Sequence, residues 1–155
     1  MKTRLALAVT ALVLIAALAP AGGATAADKA QPSARTIGNV KMHKDGTATV
    51  KAQYRCPRGS DWHLWVSVKQ TADGSRDERI TQEGAGFEHR ADTWLQSHPA
   101  TFKCDGKLRT QDFRVDASAP GYGKLVKGDG WLQFCLISEA GGLFLIDQHW
   151  AKVRG

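Results

Sequence analysis

The chain has 155 residues, a formal net charge of +6, 43% hydrophobic and 8% aromatic residues, and three cysteines. With an apolar N-terminal segment set aside, about 129 residues remain, which is one domain and enough chain for a core of its own. The basic residues are scattered, with no Lys/Arg run interleaved with aromatics, and this argues against nucleic-acid binding.

The chain opens "MKTRLALAVTALVLIAALAPAGGATAADKA". Lys2 and Arg4 precede an unbroken apolar run from Leu5 to Ala19, and Pro20 ends it. Ala24-Thr25-Ala26 offers small side chains where a signal peptidase requires them, so residues 1–26 read as a signal peptide. The apolar run is shorter than the roughly 20 residues that cross a bilayer. No arginine pair precedes it, no cysteine follows closely, and "AKVRG" is not a sorting tail. The expectation is a secreted, extracellular protein that is not membrane-anchored after cleavage. Residues 27–35, "ADKAQPSAR", read as a disordered lead-in, and residues 36–155 as the domain.

From there the dominant period is two. "TIGNVKM" is a plausible first strand. In "GTATVKAQYRC", Ala48, Val50, Ala52, Tyr54 and Cys56 alternate with Thr47, Thr49, Lys51, Gln53 and Arg55, as a half-buried strand requires. "DWHLWVSVKQ" follows, with Trp62, Leu64, Val66 and Val68 opposed to His63, Trp65, Ser67 and Lys69. Segment 71–103 is polar and predicts at most edge strands around Phe87 and Thr101–Phe102. "LRTQDFRVDA" turns Phe113, Val115 and Ala117 inward, while "GDGWLQFCLIS" and "LFLIDQHWAKV" are apolar on both faces in places. Asp-Gly pairs at 45–46, 73–74, 105–106 and 129–130 predict tight turns, and Gly141-Gly142 predicts a hairpin between the last two strands. The fold class that follows is all-β, an antiparallel β-sandwich.

Cysteines in an exported chain favour a disulfide over a catalytic centre. Cys56 ends its strand on the inward side, and Cys104 stands just before an Asp-Gly turn. Cys135 is opposed in parity to Leu132, Phe134 and Leu136. Parity therefore favours Cys56–Cys104, with Cys56–Cys135 as the alternative.

The combination "DGTATVKAQYRC", "VSVKQ", "CDGK", "FRVDA" and "GDGWLQF" resembles a family of small secreted immunoglobulin-like domains of unknown function from actinobacteria. The resemblance covers most of residues 36–153. It implies an immunoglobulin-like sandwich closed by Cys56–Cys104, and it carries over no activity and no catalytic residue. The chain departs from the family pattern at Gln111, where an aromatic is expected, in the long 71–103 segment, and in the extra Cys135.

The remaining residues predict no catalytic residue, no metal and no cofactor. His43, His63, His89, His98 and His149 are dispersed, and Glu88-His89 with His98 reads as polar loop rather than a metal site. There is no nucleophile elbow, phosphate loop or dinucleotide fingerprint. Tryptophans carry the functional signal. Trp65 and Trp131 have outward parity and Trp94 falls in the polar segment, so Trp65, Trp94 and Trp131 form a candidate ligand face. The opposing reading is that they pack against a sheet or cover its edge. The function expected is a non-catalytic binding module for an extracellular protein or glycan. A carbohydrate module would align the rings in a planar exposed strip. A small hydrolase or inhibitor would need His98 or His149 in a cleft beside a carboxylate, or a rigid exposed loop.

Overall fold

A computed structural model describes residues 31–59, 61–82, 90–99, 101–118, 120–138 and 140–155. The expected signal peptide, residues 27–30 of the lead-in, and Phe87, Glu88 and His89 lie outside the described residues. Eight strands follow in order: β1 (Ser33–Thr36), β2 (Val40–Met42), β3 (Ala48–Arg55), β4 (Trp62–Gln70), β5 (Thr93–Ser97), β6 (Arg109–Val115), β7 (Gly128–Ser138) and β8 (Leu143–Arg154). A 3-10 turn, Glu78–Thr81, lies between β4 and β5 and starts at Asp77, whose carboxylate accepts from the Arg79 amide.

The strands make an antiparallel β-sandwich. One layer is β1-β3-β6, and the other is β2-β8-β7-β4-β5. The layers join at both edges. Short β2 pairs antiparallel with β3 and parallel with β8, through Val40↔Val153 and Lys41↔Arg154. Across the sandwich, bridges Gln96↔Asp116 and Trp94↔Tyr122 tie β5 to the chain that leaves β6.

The alternation read in β3 decides what lies between the layers: Ala48, Val50, Ala52, Tyr54 and Cys56 are all buried. Facing them are Leu64, Val66, Val68, Leu95, Leu132, Phe134 and Leu136 from the other layer. Each fully buried aliphatic or aromatic side chain contributes about 1.5–3 kcal/mol, so this set is the main stabilising term. The Tyr54 ring sits at the centre, 6.1 Å from Phe102 and Phe113 and 6.4 Å from Phe134. Its hydroxyl donates to Gln111 Oε1 and accepts from the Lys103 amide, so the polar tip is satisfied where the ring is buried.

Cys56 and Cys104 form the disulfide, with Cα atoms 4.8 Å apart. Cys56 follows β3 and Cys104 precedes β6, the antiparallel neighbour of β3, so topology brings both to one end of the sandwich. Cys135 is buried on the other side of its sheet and takes no part in the disulfide.

Five expectations change in detail. "TIGNVKM" is not one strand: Gly38, at φ 75°, separates β1 from β2, where the chain crosses between layers. β1 begins at Ser33, inside the expected lead-in, because Ser33–Arg35 pair with Arg55–Gln53. The strand of segment 71–103 is Thr93–Ser97 rather than Thr101–Phe102, although Phe102 does pack against the core. Ala117 is exposed, beyond the end of β6. Asp129-Gly130 is not a turn but lies within β7. A Cβ on Gly130 would approach Val153 Cγ2 to 3.0 Å and Val68 Cγ1 to 3.1 Å, so this glycine serves close packing rather than a turn.

Candidate functional site: the outer face of the larger layer

Period two on β4, β5, β7 and β8 sends alternate residues away from the core, and register aligns them into cross-strand rows. The first row is Trp94-Lys69-Trp131-Trp150. The second is Gln96-Ser67-Gln133-Gln148. The third is Trp65-Cys135-Ile146 and the fourth His63-Ile137-Phe144. Directly opposed residues stand close enough to interact, so each row is a continuous strip of side chains.

The middle of this face is a buried polar floor. Ser67 and Gln133 are fully covered, and Ser67 Oγ donates to Gln133 Oε1 at 2.8 Å. Lys69 is only 1% exposed, and its ammonium lies 5.8 Å from the centre of the Trp94 ring. An aromatic face stabilises a cation withdrawn from water. Half-buried tryptophans form the rim. Trp65 Nε1 donates to Gln96 Oε1 at 3.2 Å, and its ring stacks on His98 at 13°. Trp150 Nε1 donates to Glu78 Oε1, and the Arg76 guanidinium lies 5.6 Å from the Trp150 ring centre.

One side of the rim is apolar and open: Phe144 is 62% and Ile146 54% exposed, two residues apart on β8. Ile146 stands across from buried Cys135 in the third row, and Phe144 across from half-buried Ile137 in the fourth. Four buried side-chain polar atoms lack a hydrogen-bond partner among the described residues, and three of them, Trp94 Nε1, Gln96 Nε2 and Trp131 Nε1, are on this face. Native proteins leave few such groups unmet, and a cluster of them calls for a local explanation.

Trp65, Trp94 and Trp131 thus share one face. Trp94 comes from β5, not from a loop. Trp65 and Trp94 meet edge to face at 79°, with centroids 6.3 Å apart, and Trp131 meets Trp150 at 65°. These rings are not coplanar. Trp150, Ile146 and Phe144 complete the face, and sequence parity alone missed them because "LFLIDQHWAKV" is apolar on both sides.

His149 does lie beside a carboxylate. Its Nδ1 is 3.4 Å from Asp147 Oδ1, and its Nε2 is 3.3 Å from Thr36 Oγ1. The Thr36 hydroxyl, however, donates to Asp147 Oδ2 at 2.8 Å, as does the Thr36 amide at 2.6 Å. An activated nucleophile directs its proton at the histidine, whereas here the Thr36 hydroxyl directs it at the carboxylate. The trio acts as a polar clasp between β1 and β8. His98 shares a depression of about 200 Å³ with Gln96, Ser97, Asp116 and Ser118. Among the described residues no group of three or more His, Cys, Asp or Glu side chains converges as a metal site.

No protein-family model matches the chain, and neither does any curated protein. No helix among the described residues is long and apolar enough to cross a membrane.

Proposed function

We propose that this chain is a secreted, non-catalytic binding module that holds a protein partner outside the cell against the outer face of its larger layer. The observation that carries the reading is the exposed Phe144–Ile146 pair, continuous with half-buried tryptophans over a buried polar floor. Aromatic anchors around a desolvated centre, with an apolar patch beside them, are how protein interfaces concentrate their binding energy. The tilted rings favour a protein over a glycan, because a flat sugar chain stacks on coplanar rings and these meet edge to face.

The immunoglobulin-like reading is supported by the pairing order. β3 pairs with β6, β4 with β7 and β5, and short β2 runs parallel to the last strand, which fits a variable-type sandwich lacking some edge strands. Secretion is supported by the N-terminal segment and is compatible with the Cys56–Cys104 bridge.

The test immobilises the secreted chain and exposes it to extracellular proteins and, separately, to insoluble polysaccharides. The expected outcome is a retained protein that Ile146→Asp with Phe144→Asp releases and Lys127→Gln does not. Polysaccharide retention abolished by Trp65→Ala would replace this reading with the carbohydrate one.

A further inference from the structure

The opposite face has different chemistry. Its outward positions on β3 are Thr49, Lys51, Gln53 and Arg55, with Lys41 on β2 across from Thr49 and Arg35 on β1 across from Gln53. On the β6 side stand Arg114, Asp112 and Thr110. Following β3 along its length, every second residue brings one cation: Lys41, Lys51, Arg35, then Arg55. Each step advances about 6.6–6.8 Å along the strand axis, and because the cations alternate between β3 and the strand beside it, the diagonal from one to the next is about 7–8 Å.

These cations are uncommitted. Among the described residues Arg35, Lys41, Lys51 and Arg55 make no ion pair, whereas Arg114 is paired with Asp45. Arg35 Nε donates to Gln53 Oε1 at 2.9 Å, and Gln53 Nε2 to Thr110 Oγ1 at 3.3 Å, which holds that guanidinium on the face. Arg55 Nε is buried with no hydrogen-bond partner among the described residues. Two depressions open here. One, of about 410 Å³, is lined by Lys41, Lys51 and Thr49 together with the Asp112 carboxylate; the other, of about 350 Å³, by Arg35, Arg55 and Ser33 together with Leu108. Each seats two cations beside a hydroxyl.

We propose that this face binds a linear phosphodiester polymer whose phosphates recur every six bonds, of the poly(glycerol phosphate) kind. Two residues of a strand contain six backbone bonds and advance about 6.6–7.2 Å when extended, and six single bonds of a glycerol phosphate chain cover a similar length. A polymer lying along the strand axis therefore keeps step with these cations, which stand alternately on β3 and on the strand beside it. A single-stranded nucleic acid has the same bond count, but its recognition stacks bases on aromatic rings. The facing positions named above on β1, β2, β3 and β6 hold no aromatic. Asp112, across from Lys51, opposes the polymer at one step.

The test titrates the secreted chain with a poly(glycerol phosphate) oligomer at 50 and 200 mM salt. Four neutralised phosphates at about −0.7 each give a log–log salt slope near −2.8, or a roughly 50-fold loss of affinity over that range. Lys51→Gln should lower the slope by about 0.7, Arg35→Gln with Arg55→Gln by about 1.4, and Asp112→Asn should tighten binding. Lys127→Gln should change nothing, and melting curves confirm that each variant is folded. Absence of binding at 50 mM salt would overturn the proposal. So would a slope indifferent to these substitutions. Equal or tighter binding of an oligothymidylate, or of phosphatidylglycerol vesicles, through the same residues would reassign the face to those ligands.

Discussion

Replacing Cys56 and Cys104 together by alanine, in a Cys135→Ala background that prevents new pairings, tests how much of this domain rests on one covalent link. The bridge spans 48 residues, which include β4, the 3-10 turn and β5. In the chain-entropy account, closing a loop of that length removes about 4 kcal/mol of disorder from the unfolded chain. Domains of this size are stable by only about 5–15 kcal/mol, so the loss is a large share of the total. The native contacts around the bridge should persist: Tyr54 remains between Phe102, Phe113 and Phe134, and Gly106 still donates its amide to the Cys56 carbonyl. Urea unfolding, followed by tryptophan fluorescence in the paired and alanine forms, measures the difference. The expected result is a midpoint shifted to lower urea by the equivalent of about 4 kcal/mol. A loss below about 1 kcal/mol would refute the reasoning, because the 48-residue segment would then have to be constrained in the unfolded chain without the bridge.

Gln70→Ala is expected to destabilise by about 3 kcal/mol, read from the same urea curves. Gln70 is fully buried, donates to the Val126 and Asp129 carbonyls and accepts from the Val126 amide, so its removal leaves partly buried backbone groups without these partners. Acid is expected to weaken the fold over a narrow window. Hydrogen bonds from the Thr47 hydroxyl and amide, with help from Arg114, hold Asp45 at about 2, and the Arg79 guanidinium and amide hold Asp77 at about 2, against an ordinary 3.8. Carboxylates depressed on folding stabilise above their unfolded value and lose that effect as pH falls through the folded one. The melting temperature should therefore decline between about pH 4 and pH 2, and a flat profile there would contradict these bonds.

The alternation in 47–56 was legible because one face of β3 meets the core and the other meets water, so period two survives in the sequence. The outward parity of Trp65 and Trp131 was legible for the same reason. Trp94 was not, although "TWLQS" alternates too, because its surroundings are polar and turn-rich. The Asp129-Gly130 misreading has a plain cause. An Asp-Gly pair suits both a tight turn and a strand whose neighbour packs too close for a side chain, and only Val68 and Val153 distinguish the two.

The residues alone determined an all-β chain with an N-terminal segment of export-signal composition, inward and outward faces on its central strands, and a cysteine parity that favoured one pairing. These depend on short-range spacing along a strand. Tertiary structure decided which outward residues share a surface: the row Trp94-Lys69-Trp131-Trp150, the open Phe144–Ile146 pair, and the ladder Lys41, Lys51, Arg35, Arg55 on the other side. Each of these surfaces is assembled from strands far apart in sequence. Register between distant strands is set by the whole core, so no local pattern encodes it.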